Sequence, residues 1–153
     1  RKGKSLTIVS LSYMSVESLH AVEELEKVGI TCDLLDLRST APLDWRRIKK
    51  SLLKTGRLLV VDSASESFSV ASEVIAKASI ECHKNMKSAP VRLALKDAPA
   101  PTSFGLTKKY YISSNEIFDA ALAILNKPKI NSQKLFKNDY PHDVPGDWFK
   151  GPF

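Results

Sequence analysis

The feature that most constrains this chain is a repeated alternation: a short apolar, β-branched run, then a stretch with helical apolar spacing, then a terminator. Leu6-Thr7-Ile8-Val9-Ser10-Leu11 has the composition of a strand buried on both faces. Ser15 is placed to cap a following helix in which Val16, Leu19, Val22 and Leu25 recur every three residues. Ala21 and Val28 widen that stripe, and Gly29 is placed to end it.

The alternation then repeats. Residues Ile30 to Leu37 read as a strand, and Pro42-Leu43-Asp44 sets a cap before a helix that buries Trp45, Ile48 and Leu52, closed by Gly56. Leu58 to Val61 is a third buried strand. A serine-rich turn over 63–69 follows, then a helix with Ala71, Val74, Ile75, Ala78 and Cys82 on one side. Pro90 to Leu95 is a weaker strand, and Asp97-Ala98-Pro99-Ala100-Pro101 opens a loop, because each proline biases its predecessor away from helix. Ser113-Ser114-Asn115-Glu116 has capping-box spacing before a last helix whose apolar face is Ile117, Phe118, Ala121, Leu122 and Leu125.

Strands alternating with helices predict the α/β class: a three-layer α/β/α sandwich around a mainly parallel, or mixed, sheet of about five strands. No segment recurs at a fixed period, so a solenoid is excluded. The domain is expected over 1–126. Beyond it Pro128, Pro141, Pro145, Gly146, Gly151 and Pro152 predict an irregular tail over 127–153. Leu135, Phe136, Tyr140, Trp148, Phe149 and Phe153 are too many apolar residues for an idle linker, so parts of the tail are expected to dock on a protein surface, a partner subunit's included.

A net charge of +6 raises the question of nucleic acid. The distribution answers it: residues 1–5 carry three positive charges and 127–153 five lysines against three aspartates, leaving 15 basic and 14 acidic residues over 6–126. Solvated basic ends on a nearly neutral body are the expectation, not a phosphate-binding surface. No apolar run approaches the ~20 residues that span a bilayer. The start, Arg1-Lys2-Gly3-Lys4, leads into a strand instead of a signal sequence, so a soluble intracellular protein is expected. Cys32 and Cys82, in expected strand and helix interiors, lack the spacing of a zinc or redox motif and read as buried thiols.

Three common chemistries of α/β folds lack their signatures: there is no G-x-G-x-x-G, no phosphate loop ending in Gly-Lys-Ser/Thr and no G-x-S-x-G elbow. His20, His83 and His142 form no i,i+4 pair or Cys/His cluster, so each is expected to be a surface or packing histidine, and no metal site is expected. Polar groups do collect at the ends of the expected strands: Asp36 and Arg38 after the second, Asp62 and Glu66 after the third, Asp97 after the fourth. That edge carries ligands in parallel sheets. The structural alternative gives Asp44 a helix cap, Arg38 a nearby carboxylate and Asp97 the turn before Pro99.

Asp36-Leu37-Arg38-Ser39-Thr40-Ala41-Pro42-Leu43-Asp44, followed by Lys54-Thr55-Gly56-Arg57-Leu58-Leu59-Val60-Val61, resembles the transketolase C-terminal domain family. The narrower likeness is to the beta subunit of the decarboxylating first component of 2-oxoacid dehydrogenase complexes, and it covers residues 3–126. Gly3-Lys4 before the first strand, Glu73 early in the third helix, and Asp97 to Pro101, similar to the family's Asp-Val-Pro-Val-Pro loop, extend it. Two segments depart: Asp62-Ser63 stands where the family typically has His-Glu, and Ser67-Phe68-Ser69-Val70-Ala71 replaces a more glycine-rich stretch. Asp62 has no neutral proton acceptor of histidine's pKa to offer in exchange.

The resemblance implies a heterotetramer with thiamine diphosphate held between a pyrophosphate-binding domain and a pyrimidine-binding domain, the latter immediately N-terminal to this one. The family's metal-binding Gly-Asp-Gly is absent, since Gly146-Asp147 is followed by Trp148. It implies no catalytic residue, cofactor or metal in this domain, with thiamine diphosphate and magnesium belonging to the parent enzyme, and an isolated domain that is inactive. The intact enzyme would decarboxylate a 2-oxoacid, pyruvate or a branched-chain one, and acylate a lipoyl group. Partners implied are the chain's own pyrimidine-binding domain, an alpha subunit, a second beta subunit and, in some complexes, the small docking domain of the dihydrolipoyl acyltransferase. That docking pairs acidic groups here with a basic partner, a polarity that the basic balance of this chain does not favour. Cytoplasm, or the mitochondrial matrix in a eukaryote, is the implied location. On this reading Arg38, Asp62, Glu66, Glu73 and Asp97 are interface or ligand candidates. The competing reading is a free-standing anion- or nucleotide-binding α/β domain using Arg38, Asp62 and Asp97.

Overall fold

A computed structural model describes residues 1–136. Four strands, β1 (Leu6–Leu11), β2 (Cys32–Leu37), β3 (Leu58–Ser65) and β4 (Val91–Leu95), pair in the order β2-β1-β3-β4, every pair parallel. The helices are α1 (Tyr13–Lys27), α2 (Trp45–Thr55), α3 (Val70–Glu81), a single turn α4 (Phe104–Thr107) and α5 (Ser114–Ile124).

Strand alternation sorts the core into two halves. Leu6, Ile8, Cys32, Leu34, Leu59 and Val61 point to one face, where Ala21, Val22 and Leu25 of α1 and Ile117, Phe118 and Leu122 of α5 cover them. Val9, Leu35, Leu58 and Val60 point to the other, under Ile48 and Leu52 of α2 and Ala71, Val74 and Ala78 of α3. The three-layer α/β class is as the sequence predicts. The sheet has four described strands instead of about five and none is antiparallel, because the chain after β4 has prolines at 99 and 101, which cannot donate to a ladder, and then turns helical at α4. That helical turn was expected to be loop.

Local corrections have local causes. α1 starts at Tyr13, since Ser12 adopts φ 53°, so Ser15 lies inside the helix and caps nothing. Its buried stripe is Met14, Ser18, Ala21, Val22 and Leu25; Val28, the C-cap, is exposed. Strand β2 begins at Cys32, two residues after the expected Ile30, and Cys82 follows the last turn of α3 as its C-cap instead of lying within it, though both thiols are buried. Other punctuation holds. Gly29 (φ 80°) donates its N–H to the Glu26 carbonyl, Gly56 (φ 70°) donates to the Leu52 carbonyl at 2.8 Å, and Asp44 accepts from the Arg47 N–H at 3.3 Å. Glu116 reaches back to accept from the Ser113 N–H at 2.8 Å, and the expected capping box is formed.

Gly3 is required by close approach: a Cβ there would meet the Cys32 backbone at 2.4 Å. Of the tail, residues 127–136 return to α5. The Ser132 hydroxyl donates to Asp119 Oδ2 at 3.2 Å, and the Phe136 ring meets Phe118 edge-on, centroids 5.8 Å apart. Tyr140, His142, Trp148, Phe149 and Phe153 lie outside the described residues.

Candidate functional site at the C-terminal edge of the sheet

The sheet changes direction between β1 and β3, with α1 and α3 leaving to opposite faces; in open parallel sheets the crevice there, at the carboxyl ends of the strands, is the ligand position. The strand-end residues fall on this edge in two groups. At the β2 end, Ser10 Oγ donates to Ser15 Oγ (3.1 Å), Ser15 Oγ donates to Asp36 Oδ1 (2.7 Å), and Arg38 donates to Asp36 Oδ2 (2.9 Å). Burial pushes the Asp36 carboxyl up, but the Ser15 and Arg38 hydrogen bonds and the Arg38 charge outweigh it and hold it below the usual carboxylate range. Ser15, expected as a cap, is the hub joining β1, α1 and β2.

At the β3 end, Asp62 is 1% exposed and spends both oxygens on its own backbone: Oδ1 accepts from the Ala64 N–H and Oδ2 from the Ala71 N–H, each at 3.0 Å. The carboxylate thereby fixes the 63–69 turn to the first turn of α3. Asp97 accepts from the Ser67 N–H at 3.1 Å and from its hydroxyl at 2.5 Å, which lowers its pKa. It therefore pins the β3–α3 turn and not the turn before Pro99. The Glu66 N–H donates to the Leu95 carbonyl at 2.7 Å, its carbonyl accepts from Ser72 Oγ, and Arg92 donates to that same Ser72 oxygen at 2.8 Å. The Glu66 and Glu73 side chains face solvent. Phe68, at the tip of this turn, is fully exposed and holds φ 56°.

Arg38 and Asp97 follow the two outermost strands, three strand spacings apart, or about 14 Å at ~4.8 Å per spacing. Arg38, Asp62 and Asp97 thus do not converge on one small ligand, and each is engaged by this chain's own groups. The free-standing anion- or nucleotide-binding reading is accordingly not favoured.

Burial first, and then Glu26, push the Cys32 thiol to about 12; burial also raises Cys82. His83 is exposed and His20 half-buried. Among the described residues no three His, Cys, Asp or Glu side chains are grouped to hold a metal. The residues present do not fit a magnesium-bound diphosphate: Asp36, Asp62 and Asp97 are already spent on Ser15, Arg38, Ser67 and backbone amides, and no such grouping of the described side chains is there to hold the metal.

A second polar group was not anticipated. On the α2 face of the sheet, Asp33 accepts from Ser51 Oγ (2.6 Å) and from Lys54 Nζ (2.5 Å), while Thr7 Oγ1 lies 2.7 Å from both Ser51 Oγ and Thr55 Oγ1. The available signal was a carboxylate, Asp33, in the buried first half of a mainly apolar strand, which demands a partner. Among the described residues no helix is long and apolar enough to cross a membrane.

Comparison with known proteins places these features in a family. The profile described as "Transketolase, C-terminal domain" matches residues 1–117. The pyruvate dehydrogenase E1 component subunit beta of Cyanidium caldarium is 34% identical over 82% of this chain and 38% of its own length; that of Bacillus subtilis is 37% identical over 67% and 32%. The 2-oxoisovalerate dehydrogenase subunit beta of Bacillus subtilis is 33% identical over 80% and 37%. This chain therefore spans little more than a third of these relatives. Among solved structures, a split-gene transketolase in an inactive beta4 tetramer superposes with a TM-score of 0.70 at 26% identity, over 82% of this chain and 40% of that one. A two-faced parallel sheet with its polar groups locked along one edge, and a profile match over most of its length, make this chain a member of the transketolase C-terminal domain family.

Proposed function

We propose that this chain is the C-terminal assembly domain of the beta subunit of a thiamine-diphosphate-dependent 2-oxoacid dehydrogenase. The intact enzyme decarboxylates pyruvate or a branched-chain 2-oxoacid and acylates a lipoyl group. The observation that carries the reading is the joint one: 31–44% identity to relatives named as such beta subunits, on a domain whose edge groups are engaged in holding its own turns. A domain so occupied contributes surface and position, not a reacting group. Thiamine diphosphate and magnesium are bound by the other domains of the parent enzyme, and the domain alone is inactive.

On this reading residues 1–126 are the domain proper and 127–153 its tail. The exposed members of the edge, Arg38, Glu66, Glu73 and Asp97, face the pyrimidine-binding domain, the alpha subunit or a second beta subunit, while Asp62 acts indirectly by shaping the turn. The tetrameric state of the structural neighbour supports an assembly role. The compartment follows the parent enzyme, cytoplasm or mitochondrial matrix; relatives from Ascaris suum and Chaetomium thermophilum are named mitochondrial. The test is reconstitution. The beta chain encoded by the whole reading frame, mixed with its alpha partner, thiamine diphosphate and magnesium, should release CO2 from pyruvate or a branched-chain 2-oxoacid. An assembled complex that decarboxylates neither ends the proposal.

A further inference from the structure

Helix α2 carries Arg46, Arg47, Lys49, Lys50 and Lys54 and no acidic residue, the densest charge of one sign in the described chain. Two of these cations are already paired: Lys54 with the buried Asp33, and Lys49 at the surface with Glu81, which also accepts from Trp45 Nε1 at 2.9 Å. Arg46, Arg47 and Lys50 are exposed and take part in none of the ion pairs of the described residues. Arg46, Lys50 and Leu53 are spaced i, i+4, i+7, so they form one outward row, with Arg47 beside it. Leu53 is 49% exposed, an apolar side chain set among cations.

The surface there is concave. A hollow of about 450 Å3 is lined by Asp44, Arg46, Arg47 and Lys50. It shares Asp44 and Arg47 with a second hollow of about 160 Å3 at the sheet edge, to which Leu35, Leu37 and Ile48 contribute apolar wall and Arg38 a further cation. Part of the molecule's negative charge lies away from this face, since Glu17, Glu23, Glu24 and Glu26 are on α1, which covers the opposite face of the sheet; Asp44 is the one carboxylate lining the hollow itself.

We propose that the outer face of α2 docks an acidic segment of a partner polypeptide, one that presents carboxylates to Arg46, Arg47 and Lys50 and an apolar side chain to Leu53. Charge complementarity selects the sign of the partner. A nucleic acid fits less well, because Leu53, an apolar side chain 49% exposed, interrupts the row and finds no match on a phosphate backbone. A small anion has no built site, since the row lies on the outer surface of a helix with no buried polar side chain aimed into it. This surface adjoins the proposed assembly edge at Arg38, which the docking does not require, and its test does not depend on enzyme activity.

The 153-residue chain is titrated by fluorescence anisotropy with three labelled probes of equal length: a helical Glu/Leu peptide with carboxylates at i, i+4 and leucine at i+7, its Lys/Leu counterpart, and a single-stranded oligonucleotide. The acidic peptide should bind and the basic one should not, with affinity falling about tenfold or more between 50 and 200 mM salt. R46E/R47E/K50E should remove binding with the far-UV spectrum and melting temperature kept. Should that variant misfold, K50E alone should weaken the acidic peptide severalfold, and Leu53→Ser should weaken it against a leucine-free Glu peptide of the same charge. Reversal of Lys108 and Lys109, exposed elsewhere, should leave binding unchanged. The proposal is overturned if the acidic peptide does not bind, if K50E and the triple reversal bind it as tightly as the parent, or if the oligonucleotide binds more tightly than the peptide.

Discussion

Lys54 Nζ sits 2.5 Å from Asp33 Oδ2, and the two residues tie the outer helix α2 to the edge strand β2. Asp33 is nearly buried while Lys54 remains 42% exposed, so water screens the lysine but not the carboxylate. Burial alone would push the Asp33 carboxyl up; the Lys54 and Ser51 hydrogen bonds and the Lys54 charge overcome it and hold the carboxyl below its ordinary value. A depressed folded pKa stabilises the fold at every pH above the unfolded value near ~4, and that stability is lost as pH falls through the folded value. Urea denaturation should therefore show Lys54→Met less stable than the parent by about 1 kcal/mol at pH 7. The gap should close as pH falls through the lowered folded value of Asp33. A difference that persists in acid would mean that Lys54 contributes through its methylene stem and not through Asp33.

Asp62 makes the complementary case, a carboxylate bonded only to backbone. Asp62→Ala takes the acceptor from the part-buried Ala64 N–H and the buried Ala71 N–H and should cost about 1–3 kcal/mol. Asp62→His, which installs the residue typical of relatives at this place, should cost nearly as much, because a neutral imidazole offers one acceptor where Ala64 and Ala71 need two. Equilibrium unfolding of both variants measures this. A silent Asp62→His would show that the 63–69 turn can reset to the relatives' arrangement.

What the sequence made legible followed from periodicity and from residues with one conformational use. The three βα units were readable because β1, β2 and β3 are buried on both faces and their helices carry apolar stripes. Gly29, Gly56, Asp44 and the Ser113/Glu116 pair marked ends because each meets a local backbone need. Ser15 misled for the same reason: a serine before a helical stripe reads as a cap, and only the turn at Ser12 shows that the helix had already begun. α4 is too short to register a period. At the edge, the position of Asp36, Asp62 and Asp97 was legible but their partners were not, since Ser15, Ala71 and Ser67 reach them through turns whose course depends on packing. The Thr7–Ser51–Asp33 group joins residues up to 44 apart in sequence, beyond any local pattern.

Phe68 tests the departure from the glycine-rich pattern directly. Its φ of 56° lies in the left-handed region, which costs a residue with a Cβ about 1 kcal/mol or more, and its ring has no burial to offset this. Phe68→Ala should change stability by no more than about 0.5 kcal/mol, since it keeps the Cβ and loses only solvated surface. Phe68→Gly should exceed Phe68→Ala by about 0.5–1 kcal/mol, the relief outweighing the added freedom of the unfolded chain. Melting curves of the two variants decide it; glycine no better than alanine would mean that the turn carries no strain. The same ordering in the assembled beta subunit, with weaker subunit association for Phe68→Gly alone, would show that the ring is held out for a neighbour.

Phe118 and Phe136 decide how much of the tail belongs to the domain. Phe118 is fully buried at the centre of the α1/α5 half-core, and Phe118→Ala should cost about 3–5 kcal/mol through lost transfer energy and a residual cavity. Phe136 is half-buried, so Phe136→Ala should cost less, about 1–2 kcal/mol. The rings meet edge-on, interplanar angle 71°, a geometry in which the positive rim of one ring faces the negative face of the other and which contributes about 0.5–1.5 kcal/mol beyond area. A double-mutant cycle should recover a coupling in that range. It isolates the ring contact because each alanine removes one partner and leaves the Ser132–Asp119 hydrogen bond in place. Zero coupling, together with a Phe136→Ala variant as stable as the parent, would place the domain boundary near 126 and leave the whole tail free to reach another surface. The predicted coupling instead means that residues 127–136, the first part of the tail, pack back on α5.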